Sequence, residues 1–177
     1  MSFSLFRRFL LLLFAASLIT SFAYCQGDFC KAVMAITHDA PNSFRNIKGT
    51  PFKAKGMWES GIKVPGTIAS RFVFTMGLYY EGAFFQTRNK EELKPAYEKY
   101  KALLNDCLTA KGYTLTAADN FYPGLGDFKK LIYMIEEKDE PVDPKAKHTL
   151  PPAHISMEVE YNKEVGKYTI VMFIFEH

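Results

Sequence analysis

The carboxyl-terminal stretch reads HISMEVEY (154–161), NKEVG (162–166) and KYTIVMFIFE (167–176). Its first part alternates strictly, with Ile155, Met157, Val159 and Tyr161 on one side and His154, Ser156, Glu158 and Glu160 on the other. A period of two is the signature of a half-buried strand. Asn162 to Gly166 turn the chain, so the two arms are expected to pair as a hairpin. The second arm lacks a polar side: Tyr168, Ile170, Met172 and Ile174 oppose Thr169, Val171, Phe173 and Phe175. A strand that is apolar on both sides needs a cover on both sides, or it leaves an exposed patch.

Upstream, residues 57–64 alternate about Trp58, Ser60, Ile62 and Val64 and predict a strand. Val64-Pro65-Gly66-Thr67 reads as a turn, because proline presets the first central position and glycine supplies positive φ at the second. Strands are expected over 68–76 and 78–87. The second of these sets Tyr79, Ala83 and Phe85 against Tyr80 and Phe84. Asn89 with Glu92 three residues on resembles a capping box. The helix it opens carries Leu93, Ala96, Tyr97, Tyr100, Leu104, Cys107 and Leu108 on one stripe and stops at Gly112. A first helix, capped by Asp28, carries Phe29, Val33, Ile36 and Ala40 and ends at Pro41. Ser43 opens a short second turn through Phe44 and Ile47 to Gly49. Residues 113–127 read as irregular, 128–136 as a further strand, and 137–152 as a loop rich in proline and charge. No internal repeat is visible.

The expected fold is α+β: an antiparallel sheet of about five or six strands packed against one long and one short N-terminal helix, in the order α(α)βββαβββ. A single domain over 26–177 is expected. In this order of elements the chain resembles the chaperones of type III secretion systems, which are small α/β sandwiches. The resemblance implies a client segment held on an exposed sheet or helix surface.

Arg7-Arg8, the apolar run Phe9 to Ile19 and the small residues after it have the layout of a secretory signal peptide over residues 1–25. Cleavage is expected after Ala23 or Cys25. The run is shorter than the roughly 20 apolar residues of a spanning helix, so no transmembrane segment is expected once the signal is removed. Bulky Tyr24 argues against a lipid on Cys25. Export to an oxidising periplasmic or extracellular space favours a Cys30–Cys107 disulfide, the alternative being two buried thiols acting as small hydrophobes. Loop entropy sets an upper figure of about 4 to 5 kcal/mol for a bond between positions this far apart. The chain has 22 Lys+Arg against 19 Asp+Glu, and two of those cations lie in the signal. Such a balance argues against a nucleic-acid binder, which needs a basic stripe. Apolar content of 48% and aromatic content of 15% exclude a mainly disordered chain.

The sequence holds no GxxxxGK[ST], HExxH, GxSxG or EF-hand pattern, and no cofactor or metal is expected. Two functional readings follow. The first is a non-catalytic, exported binding or assembly domain. Its second sheet face would use Trp58, Tyr79, Phe85, Tyr122, Phe173 and Phe175 to take an unidentified protein, peptide or apolar ligand. The second is a small hydrolase or metal-dependent enzyme centred on His154 and Glu158, joined by His38 or Asp119, because a histidine near carboxylates can bind metal or move protons. Against the second, alternating polar residues are also what a solvated strand face looks like. His148 and His177 read as solvated loop and chain end.

Exported by a host cell, the mature chain is expected to begin at Tyr24 or Gln26. It is also expected to be two hydrogens lighter unreduced than reduced. Intact-mass spectrometry with and without reductant checks both.

Overall fold

A computed structural model describes residues 27–119, 124–135 and 154–175. The expectations for the signal segment, Tyr122, the 137–152 loop, His148 and His177 lie outside the described residues.

Helix α1 (27–39) runs into a 3-10 turn at Ala40–Asn42. Four strands follow: β1 (Lys48–Pro51), β2 (Met57–Ser60), β3 (Ala69–Phe74) and β4 (Leu78–Thr87). Helix α2 (Lys90–Thr109) leads into β5 (Tyr113–Ala118), β6 (Lys130–Ile135), β7 (His154–Asn162) and β8 (Lys167–Phe175). The strands form one sheet in the order β1-β2-β3-β4-β8-β7-β6-β5, with every neighbouring pair antiparallel. Each helix therefore precedes a four-strand meander, and the two meanders join where β4 pairs with β8. The repeat lies in the topology and not in residue identity.

The expected α+β domain with five or six strands in the order α(α)βββαβββ is corrected to two helices on an eight-stranded, sheet-dominated fold. The reading missed β1 and β5, the two edge strands. β1 carries Gly49 and Pro51 and has an irregular register, so it shows no alternation. β5 (YTLTAA) alternates weakly because half of it is exposed and only Tyr113 is buried. An edge strand is buried on fewer sides, so burial leaves less trace in its sequence. Asp28, expected as a cap, lies within α1. Asn89 does cap α2, its Oδ1 accepting from the Glu91 N–H at 2.9 Å. Glu92 accepts instead from the Thr87 hydroxyl at 2.7 Å.

The expected second turn at 43–47 contains two successive left-handed residues, Ser43 (φ 55°) and Phe44 (φ 54°). Such geometry costs a residue with a Cβ about 1–2 kcal/mol. Phe44 offsets it by full burial, with its ring 4.9 Å from Phe72. The Asp39 carboxylate closes the turn, accepting from the Asn46 backbone at 2.9 Å and from the Asn46 and Asn42 side-chain amides. Asp39 thus serves the turn, while His38 stays exposed.

Both helices lie on one face of the sheet. Phe29, Val33 and Ile36 of α1 and Leu93, Tyr97, Leu104 and Leu108 of α2 share one buried cluster with Tyr80, Met157, Met172 and Ile174. Phe84 links the two helices, with its ring 5.9 Å from Phe29 and 4.6 Å from Tyr100. The disulfide Cys30–Cys107 ties α1 to α2 across 77 residues of sequence, with the Cα atoms 5.2 Å apart. Among the described residues no helix is long and apolar enough to cross a membrane.

β4 holds the sheet centre, and Gly82 explains its packing. A Cβ at Gly82 would lie 2.9 Å from Cε1 of Tyr80, whose ring is wholly buried. The glycine leaves the space that this ring occupies along its own strand. Gly82→Ala is expected to cost about 1–3 kcal/mol, because the boxed-in ring has nowhere to shift. Reduction of Cys30–Cys107 is expected to cost about 2–5 kcal/mol. Urea denaturation with and without reductant measures both effects.

Candidate functional site

Among the described residues the opposite face of the sheet carries no helix. Strand register sets its side chains in rows. One row runs Val73, Tyr79, Phe175, His154, and the next runs Arg71, Glu81, Phe173, Ser156. A third runs Ala83, Val171, Glu158. Neighbouring rows bring the aromatic rings into contact. Tyr79 lies 5.8 Å from Phe173 and 5.4 Å from Phe175, the two phenylalanines are 6.0 Å apart, and His154 lies 5.2 Å from Phe175. Phe173 is 8% exposed, whereas Tyr79, Phe175 and His154 are half-buried. Ser156 beneath them is fully buried, and its hydroxyl has no hydrogen-bond partner among the described residues.

Charges frame the rings. Arg71 pairs with Glu81 at 2.6 Å, and Lys130 pairs with Glu158 at 3.4 Å. Glu160 stands on the same side of β7 as Glu158, so three carboxylates share two cations. Burial pushes the Glu160 carboxyl above its ordinary pKa. Glu81 and Glu158 add to this, and Arg71 and Lys130 offset part of it. Burial likewise raises the Tyr79 phenol, with Glu81 and Glu160 adding and Arg71 opposing.

Three of the six expected aromatic residues therefore come together: Tyr79, Phe173 and Phe175. Trp58 is not with them. It pairs with Phe72, packs against the helix-side core and lies under the Lys48 ammonium at 4.5 Å. Phe85 is also on the helix side. A register shift between Ala83 and Phe85 sets Phe85 opposite Ile170, so Phe84 and Phe85 both join the helix-side packing. Simple alternation cannot foresee such a bulge. Tyr122 lies outside the described residues.

His154 and Glu158 share the face but do not converge. Four positions of strand hold their backbones roughly 13 Å apart, and Glu158 is engaged with Lys130. Asp119 pairs with Lys129, and His38 belongs to a helix on the other face. No group of three or more His, Cys, Asp or Glu suited to a metal occurs among the described residues. A shallow cleft at the start of α2, lined by Lys90, Glu91, Lys94, Asp127 and Phe128, shares no residue with the aromatic face. Sequence reasoning passed over Arg71, Glu81 and Lys130. A lone charge inside an otherwise apolar strand, as at Glu81, was the available signal. No protein-family model, curated protein or solved structure matches the chain.

A carboxyl whose folded-state pKa is raised contributes stability while protonated and loses it as pH climbs through the folded value. Glu160→Gln is therefore expected to raise the thermal midpoint at neutral pH, with the gain vanishing below the ordinary value of 4.5. Thermal melts of both proteins across that range measure it.

Proposed function

We propose that the chain is a non-catalytic, exported binding or assembly domain that holds a protein or peptide segment against the helix-free sheet face. The carrying observation is the contact cluster of Tyr79, Phe173, Phe175 and His154, framed by the Arg71–Glu81 and Lys130–Glu158 pairs. An aromatic centre within a charged rim is the anatomy of protein interfaces, and such rings carry most of their binding energy. Three carboxylates against two cations suit a segment that sets an apolar side chain beside a basic one. The disulfide fits a protein that works in an oxidising compartment.

The test places a photo-crosslinking residue at Phe175 and, as a control, at Lys94 on α2 in the exported protein. Position 175 is expected to crosslink a discrete partner and position 94 is not. Tyr79→Ala is expected to weaken the captured complex about tenfold or more. No product at 175, or equal products at both positions, overturns the reading.

A further inference from the structure

The aromatic face leaves one feature unused, at the end of the sheet where the β1–β2 loop and the β3–β4 turn lie side by side. The two are bound together, because Phe74 N–H donates to the Gly56 carbonyl at 2.8 Å. Phe52 N–H closes the first loop onto the Met57 carbonyl at 2.9 Å, and Thr75 N–H closes the second onto Gly77 at 3.2 Å. Gly56 takes φ +75°, and a Cβ there would meet the Phe74 carbonyl oxygen at 3.1 Å, so the loops are packed close.

On this platform stand three large apolar side chains that the core does not use: Phe52 (43% exposed), Phe74 (58%) and Met76 (103%). They make up half of the exposed large hydrophobic residues recorded among the described residues. Lys53 and Lys55 flank them, both exposed and neither in an ion pair among the described residues. From Arg45 to Trp58 the chain carries Arg45, Lys48, Lys53 and Lys55 and no acid.

These side chains project from the ends of two neighbouring hairpins. A protein groove would have to wrap them, whereas a planar surface can accept them as they stand. Apolar side chains that project beside unpaired lysines match the two layers of a membrane interface, acyl boundary below and anionic headgroups above. We propose that this tip docks on an anionic lipid surface, with Phe52, Phe74 and Met76 entering the headgroup–acyl boundary and Lys53 and Lys55 lying at the phosphates. The contact is peripheral and reversible, because three partly inserted side chains fall far short of a spanning helix. Its side chains are not those of the aromatic face, although the Tyr79–Phe175 row of that face lies next to the β3–β4 turn.

The test is co-sedimentation of the exported, disulfide-bonded protein with two kinds of vesicle, phosphatidylcholine alone and phosphatidylcholine mixed with phosphatidylglycerol. Binding is expected to the mixed vesicles only and to fall as salt rises. Lys53→Ala with Lys55→Ala is expected to lower the partition about 30-fold, roughly fivefold for each charge near the surface. Phe74→Ser with Met76→Ser is expected to lower it at least about tenfold, through lost apolar insertion. All four positions are exposed in loops or at a strand end, and unchanged circular dichroism verifies the fold. Phe74→Trp supplies a second readout: its fluorescence is expected to shift to the blue only with mixed vesicles. No binding to mixed vesicles, or binding that neither double variant reduces, overturns the proposal. So does a tip whose variants lose only a protein partner.

Discussion

The structure depends on the antiparallel pairing of β4 with β8. Without it there are two separate four-strand meanders, each with one helix and half a core. The register runs from Tyr79↔Phe175 to Thr87↔Tyr168 along nearly the whole of both strands. An antiparallel pair has a local twofold axis perpendicular to the sheet, and that axis keeps each face on its own side. Two helices placed alike on their own meanders must then land on the same face. Both do, close enough for Cys30 to bond Cys107. Among the described residues the other face carries no helix for the same reason.

This explains why the two central strands are apolar on both sides and yet pack differently on each. On the helix side Ile170, Met172 and Ile174 are fully buried. On the opposite side Val171 and Phe173 are buried, while Tyr79 and Phe175 stay half-open among ion pairs. The bulge after Ala83 adds to the asymmetry by giving the helices both Phe84 and Phe85. Gly82 beside it lets the Tyr80 ring lie flat along its own strand. Aromatic side chains at the sheet centre are thus divided by backbone irregularities as much as by alternation.

Electrostatics on the bare face follow from the same geometry. Arg71 and Glu81 are directly opposed partners in the β3–β4 register, and Lys130 reaches Glu158 between β6 and β7. Each pair lies within one meander, and the β4–β8 seam brings the two pairs onto the same face. Among the described residues Glu160 is the carboxylate of this group without a cation of its own, and burial among like charges raises its proton affinity. Desolvation and repulsion act here in the same direction.

Several features were determined by the sequence alone. The 154–175 hairpin, the α2 stripe with its Asn89 cap, the Gly112 stop and the Cys30–Cys107 bond are written in local periodicity, in capping chemistry or in cysteine count. Each depends on residues a few positions apart, or on the few cysteines available to pair. The edge strands β1 and β5, the bulge that moved Phe85, the place of Trp58 on the helix side and the meeting of Tyr79 with Phe173 and Arg71 were decided only by tertiary structure. The physical reason is that a strand pattern records how many of its own sides are buried and says nothing of which strand lies alongside. Neighbours within a meander follow from its own hairpins, whereas contacts between the meanders, such as Tyr79 with Phe173 and Phe175, exist only once the β4–β8 seam has closed.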